Sequence, residues 1–427
     1  HKAADRQFRG LETETDWEAP FMFAQLADTQ LGMINANEKW DEEVHRCKKA
    51  VENLNKLKPK FAIVCGDLVD MWPSEDPEHP TADCGKRAQQ VVDFKEVMSG
   101  IAEDIPLVCL CGNHDVGNRP NAVTIEEYKR EFGDDYLAFW AGGCRCIVVN
   151  TSLYNDPSDA EKEYAEQHAW LAEQLEYAKA QGAAHIFVFG HHPWFLVDPE
   201  EDADSNLGQW HLTTPSGFVV KLPNQYFHIP KERRLPVLEL FGKSGVRAAF
   251  AGHWHQCGTQ KLDSGFEMIT TSAVGGQSDM GEGSGFRLVK VYKDDIVHKY
   301  FPFAEMPSKV PMNEDMRNEW GIRLDPEVVK PGGAARAAVP PLAQVSKLKS
   351  PSRRWAQKRP EARKPPRVRA APLVPPSPTE QFRAAPPLLS PVSPAAYTMA
   401  FTPPAWPSNA YVNVCHPTSS VQTAAVA

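Results

Sequence analysis

Between residues 18 and 305, short apolar runs alternate with longer amphipathic stretches. Runs this short and this apolar suit strands buried on both faces. They fall at residues 21–27, 61–65, 107–110, 146–150, 185–189, 248–251, 268–271 and 287–292. Helical spacing covers 39–58, 87–101, 160–181 and 232–243. In the first of these, Trp40, Val44, Cys47 and Val51 recur at steps of four, three and four, which is one face of an α-helix. Gly182 stands just past the third, where a helix C-terminus favours glycine. Strands alternating with helices predict a layered α/β architecture, because each apolar sheet face needs a cover. The later runs have no helix between them and predict a second, partly antiparallel sheet.

The 427 residues are 42% hydrophobic, enough for a sizeable core. No run reaches the roughly 18 apolar residues of a membrane-spanning helix. Residues 1–20 have no apolar stretch of the kind a secretory leader needs, so none is expected there, although the sequence begins at His1 and not at Met. The nine cysteines are an odd number. Cys65, Cys109, Cys111 and Cys146 lie inside apolar runs and read as buried thiols. The pairs Cys109/Cys111 and Cys144/Cys146 share a strand face without any metal. This usage predicts a reducing, cytoplasmic setting. Asn150-Thr151-Ser152 ends an apolar run and is a chance match to a glycosylation acceptor.

The net charge of -9 hides two unlike parts. Residues 331–427 carry 12 Lys and Arg against 2 Asp and Glu, and 19 of the 37 prolines. Pro, Ala, Ser and Arg in that proportion cannot bury enough apolar surface to offset the entropy of ordering, so a disordered tail is expected. Its basic block, 347–369, suits a solvated arm or a docking site for nucleic acid, an anionic membrane or an SH3-type groove, and Pro372 to Pro378 is of the Pro-x-x-Pro kind. The remainder is acidic, at -19, which disfavours extended polyanions such as nucleic acid there. The expected organisation is a flexible segment 1–17, a catalytic domain 18–305, a linker 306–330 and the tail 331–427.

Five apolar runs end in residues that carry chemistry. The first ends in Asp28-Thr29-Gln30, the second in Gly66-Asp67, the third in Gly112-Asn113-His114-Asp115. Two later runs end in Gly190-His191-His192 and Gly252-His253-Trp254-His255. Sheets of this class place their sites at strand carboxyl ends. Carboxylate, carboxamide oxygen and imidazole are ligands for Mn, Fe, Zn or Mg. Each piece alone is an ordinary turn; five in register with five strands point to a metal site.

That order, D-x-Q, G-D, G-N-H-D, H and G-H-x-H, resembles the calcineurin-like metallophosphoesterase superfamily. The runs CGNHDVGNRP, GDDYLAFWAGGCRCIVVNTSLYNDPS and TTSAVGGQ are similar to a branch of predicted Ser/Thr protein phosphatases. The resemblance covers about residues 18–300. It implies a β-sandwich of two mixed sheets flanked by helices. It implies two divalent ions, one held by Asp28, Asp67 and His255 with Gln30, the other by Asp67, Asn113, His191 and His253. Asp67 would bridge them. Two ions about 3.5–4 Å apart acidify a shared water, whose hydroxide attacks phosphorus in line. His114 would face the leaving-group oxygen and Asp115 would orient it. His192 would point away, since adjacent strand residues alternate faces. Gln30 stands where many relatives carry His and offers a weaker ligand. Residues 200–224 form a longer loop, either a lid or a surface insertion, and Arg119 is a candidate phosphate clamp.

The resemblance implies a phosphomonoesterase acting on phosphoserine or phosphothreonine proteins. A phosphodiesterase for a cyclic nucleotide or other small diester is the alternative, followed by a non-catalytic scaffold. A scaffold predicts lost ligands, and the set here is complete apart from the Gln30 substitution.

Overall fold

The computed structural model describes residues 6, 14–74, 76, 78–79, 85–202, 210–213, 219–222, 224–276 and 283–321. The expected tail, with its basic block, lies outside the described residues.

In chain order the elements are β1 (Phe21–Leu26), α1 (Asp41–Leu57), β2 (Ala62–Cys65), α2 (Lys86–Met98), β3 (Leu107–Leu110), the single turn α3 (Asn113–Val116) and α4 (Ala122–Phe132). There follow β4 (Leu137–Ala141), β5 (Cys144–Val148), the short α5 (Ser152–Asn155), α6 (Glu161–Ala180), β6 (Ile186–Phe189), β7 (Trp210–Thr213) and β8 (Val219–Leu222). The remaining elements are α7 (Lys231–Ser244), β9 (Val246–Ala251), β10 (Gly258–Lys261), β11 (Glu267–Thr270), β12 (Gly285–Val291) and β13 (Ile296–Pro302).

Two mixed sheets result. The first runs β13-β12-β1-β2-β3 and the second β10-β11-β9-β6-β5-β4. β1, β2 and β3 are parallel because α1 and α2 are the crossovers between them. β5, β6, β9 and β11 are parallel in the second sheet. One sequence expectation fails here. The run 287–292 does not join the second sheet but returns as β12 to the first, antiparallel to β1, with Phe23 opposite Val289. Central β1 needs a partner on its open side, and the β12–β13 hairpin supplies it.

The sheets pack face to face through rings. Phe23 stacks on Phe61 at 4.8 Å and meets Phe250 edge-on at 5.3 Å. Burying each such side chain stabilises the fold by roughly 1.5–3 kcal/mol. α1 and α2 cover the outer face of the first sheet, with Cys47, Leu54 and Phe94 packed in one cluster with Ala24, Leu26 and Val64. α6 and α7 cover the second, with Leu171, Leu175 and Phe241 in one cluster with Ile147, Val188 and Ala249. The layering is therefore helix, sheet, sheet, helix, and the two sets of parallel strand ends open on one edge.

The margins of the domain are held too. Glu14 accepts the Gly143 amide at 2.9 Å through its carbonyl and pairs with Lys60 at 2.7 Å. Residues 306–321, expected as linker, lie against the first sheet: Met306 and Trp320 join the α1–α2 cluster. Buried Lys290 donates to the carbonyls of Met316, Arg317 and Glu319 at 3.0, 3.1 and 2.6 Å. No helix among the described residues is long and apolar enough to cross a membrane.

Candidate active site

Each site residue stands where a parallel strand has just ended. The turns are tight, and five of the residues, Asp28, Gln30, Asp67, His253 and His255, have φ between 40° and 65°. For non-glycine residues this left-handed conformation is costly and concentrates at functional sites. Two glycines allow the approach. A Cβ on Gly66, at φ 80°, would lie 2.5 Å from His191 Nδ1; one on Gly252 would lie 2.6 Å from Asp28 Oδ2.

Asp67 is the centre. Its Oδ2 lies 3.2 Å from His191 Nε2, and its Oδ1 accepts the His114 amide at 2.9 Å. His191 Nε2 is also 3.0 Å from Asn113 Oδ1 and 3.1 Å from His253 Nδ1. Two groups of donor atoms form, each within 4.8 Å: Asp67, His191 and His253, and Asp28, Asp67 and His255. The second group is drawn together at His255 Nε2, 3.4 Å from Asp28 Oδ1. All of these side chains are buried.

Carbonyls aim the rings. His191 Nδ1 donates to Cys65 O at 2.8 Å, which turns Nε2 inward. His253 Nε2 donates to Tyr226 O at 3.0 Å, which turns Nδ1 inward. Asp28 is fixed in turn by the His253 amide, 3.1 Å from both carboxylate oxygens. Such outer partners set which nitrogen can ligate a metal.

Burial opposes charge on Asp67, but the imidazoles of His191, His114 and His253 outweigh it and hold its carboxyl below the usual range. Burial likewise disfavours a charged His191, yet the Asp67 carboxylate lifts it to about 9. Burial and the neighbouring His191 push His253 down to about 3. Buried oxygens and inward nitrogens thus surround a spot that attracts positive charge. Gln30 agrees with this. Its amide donates to Asp70 Oδ1 at 3.3 Å, leaving the buried Oε1 with no hydrogen-bond partner among the described residues. Hard oxygens mixed with imidazoles fit divalent ions of the Mn, Fe, Zn or Mg kind.

His114 is the one member that is not fully buried, its side chain 15% exposed. Its Nδ1 lies 2.6 Å from Asp70 O and 3.5 Å from Asp70 Oδ1. Since the carbonyl only accepts, Nδ1 carries the proton in that bond. The aspartate beside the His114 ring is thus Asp70, and not the expected Asp115. The Asp115 carboxylate is turned inward, accepting the amides of Gly112 at 2.8 Å and Leu68 at 3.2 Å. The turn α3 folds it back onto backbone donors, as a capping aspartate does. Burial and the charge of Asp67 raise its carboxyl to about 7.

Other expectations resolve simply. His192 turns to Thr151 Oγ1 at 3.2 Å, its ring 4.4 Å from that of His253, and it is not among the grouped donors. Arg119 is ion-paired with Asp159 at 2.9 Å. Within 200–224, β7 and β8 form an antiparallel ribbon; residues 203–209, 214–218 and 223 lie outside the described residues. Two neighbours of the site were not anticipated. Arg87, fully buried, donates to the carbonyls of Met71, His114 and Asp115 at 2.7, 3.2 and 3.2 Å. Tyr226 brings its hydroxyl beside the Asn113 side chain. Neither lies beside a metal-type motif, so only the tertiary fold brings them in.

Residues 21–257, which span all of these strand ends, match the family model of the calcineurin-like phosphoesterase. The chain belongs to the calcineurin-like phosphoesterase family. It is a metal-dependent phosphoesterase. It is 34% identical over 330 residues to the protein named serine/threonine-protein phosphatase CPPED1 of Danio rerio, covering 74% of this chain and 96% of that one. The Homo sapiens protein of the same name is 35% identical over 325 residues, covering 72% and 93%. The crystal structure of a dimetal phosphatase from Danio rerio aligns with a TM-score of 0.45 at 14% identity, covering 67% of this chain and 98% of that one. The two donor groups of this phosphoesterase meet at Asp67, as a dinuclear divalent centre requires.

Proposed function

We propose that this phosphoesterase hydrolyses phosphoserine and phosphothreonine monoesters in proteins. The observation that carries the reading is a complete donor set for two ions with a histidine at its rim. Asp28, Gln30, Asp67 and His255 would hold one ion; Asp67, Asn113, His191 and His253 the other. Bound divalent ions supply Lewis acidity that neutralises phosphoryl oxygens and acidifies water. The protein's own residues do the rest. Asp67 belongs to both donor groups and would serve both ions, its carboxylate held in place by the His114 amide. Asn113, steadied by Asn118 at 3.1 Å, orients its carbonyl oxygen inward. Asp70 keeps the His114 proton on Nδ1 and leaves Nε2 as the nitrogen that meets the leaving oxygen. A protonated Nε2 gives its proton to that oxygen as the ester bond breaks.

The protein substrate is supported by the names of the Danio rerio and Homo sapiens relatives. Cys47, Cys65, Cys109, Cys111, Cys144 and Cys146 are free thiols, which supports a reducing, cytoplasmic setting. The test is paired hydrolysis of p-nitrophenyl phosphate and bis-p-nitrophenyl phosphate with Mn²⁺, with Asp67→Asn as the blank, followed by phosphoserine peptides. Preference for the monoester and release of phosphate from the peptides supports the reading. Preference for the diester replaces it with a phosphodiesterase.

A further inference from the structure

The geometry points to Trp72 as a positioning residue for His114, a role that rests on the reading of His114 as the group serving the leaving oxygen. The Trp72 ring stacks on His114 at 4.1 Å with 25° between planes, and on His79 at 3.9 Å with 6°. Two rings so close to one centroid cannot share a face, so Trp72 is sandwiched between the two histidines. His79 is itself tethered, its Nδ1 3.0 Å from Oδ2 of buried Asp76.

The segment that carries Trp72 is pinned on both sides. The Asp70 amide donates to Leu31 O at 3.2 Å, and the Met71 amide to Gln90 Oε1 at 3.0 Å. Arg87 grips Met71 O, and the same guanidinium grips the carbonyls of His114 and Asp115. One buried cation thus fixes the spacing between the two backbones whose rings stack.

Asp70 and Trp72 then divide the task. A hydrogen bond to Nδ1 leaves the imidazole free to swing about that bond. A flat wall against its face removes the swing and holds Nε2 at one angle. Asp70 selects the tautomer and Trp72 selects the plane. General-acid efficiency depends on that angle, most of all when the leaving group is poor.

The experiment uses the full chain with Mn²⁺ and a series of aryl phosphates of rising leaving-group pKa, comparing wild type, H114A, W72L, W72F and W72L/H114A, with bound Mn²⁺ measured in each. The result expected is an approximately five-fold loss in kcat for W72L with the poorest leaving group, the scale of one aromatic stack. The loss shrinks for p-nitrophenyl phosphate, KM and bound metal stay constant, W72F restores most of the rate, and W72L adds nothing to H114A. A loss equal for all leaving groups, or a further loss in the H114A background, overturns the proposal. An H114A profile indifferent to the leaving group overturns instead the reading beneath it. If W72L does not fold, H79A removes the outer ring alone, and an unchanged leaving-group dependence there overturns the sandwich.

Discussion

His114 and Asp70 are joined twice: His114 Nδ1 lies 2.6 Å from the Asp70 carbonyl and 3.5 Å from its carboxylate. The carbonyl accepts the Nδ1 proton, and the carboxylate stands beside the same nitrogen. Asp70→Asn keeps the carbonyl and removes the charge. It is expected to lower kcat about ten-fold or more, chiefly for poor leaving groups. Asp115→Asn is expected to behave differently. It weakens a buried acceptor of the Gly112 and Leu68 amides and costs about 1–3 kcal/mol of stability. Leaving-group profiles and urea denaturation of both variants separate the roles. An Asp115→Asn enzyme with normal stability and a steepened leaving-group dependence returns the orienting role to Asp115.

Asp67 is the only residue shared by both donor groups. Asp67→Asn is expected to lose roughly a thousand-fold or more in turnover, several kcal/mol of transition-state stabilisation. Bound metal, measured by elemental analysis, is expected to fall from two equivalents. Chelation of the wild type should lower Tm, because ions that bind only the folded protein stabilise it. Re-addition of Mn²⁺ should restore both Tm and activity. A variant that keeps two ions and near-normal turnover removes Asp67 from the bridge.

Tyr226 stands at the centre with its hydroxyl beside the Asn113 side chain, while its carbonyl aims His253. Tyr226→Phe removes only the first contact. The expected effect is a three- to ten-fold loss in kcat/KM, about the weight of one hydrogen bond of 0.5–1.5 kcal/mol. Stability and bound metal should be unchanged, because the carbonyl remains. Steady-state kinetics with p-nitrophenyl phosphate check this, and a loss of metal would show that the hydroxyl holds the ligand and not the substrate.

The candidate ligands were legible because each follows an apolar run, and a buried parallel strand has only one exit towards the site. Asp28, Asp67, Asn113, His191, His253 and His255 share that grammar. Asp70 was equally near a motif, three residues past Asp67, but sequence proximity favoured Asp115, and only the turn α3 shows that carboxylate folded back on amides. Trp72, Arg87 and Tyr226 have no local signature, since loops and α2 carry them to the site from outside the strand ends. The return of β12 to the first sheet was hidden for a related reason. Strand pairing across the whole domain is a tertiary choice, and an apolar run does not name its partner. The hairpin β4–β5 did carry a signal in Gly142-Gly143, both at positive φ, although the apolar reading began only at Cys146.

Far from the metal site, Glu267 gathers Arg247 at 2.9 Å, Lys261 at 3.1 Å and His298 at 3.1 Å. Burial raises its carboxyl, but these donors outweigh burial and hold it near 2, against an ordinary 4.5. A depressed carboxylate contributes stability that is complete above its unfolded value and lost as pH falls towards the folded one. The window is therefore about pH 4.5 down to 2, and the contribution is roughly 2–3 kcal/mol. His298 acts above that window. Arg287 donates to its Nδ1 at 3.0 Å, so the ring is neutral, and burial lowers its pKa from 6.5. Its protonation below that value also weakens the fold. Glu267→Gln is expected to be less stable than wild type at pH 7 by a similar roughly 2–3 kcal/mol, with the difference narrowing as pH falls below 4.5. Urea denaturation in EDTA from pH 7 to 3 measures it without interference from the metal centre. A gap that stays constant across that range would mean that Glu267 acts by packing and not through its charge.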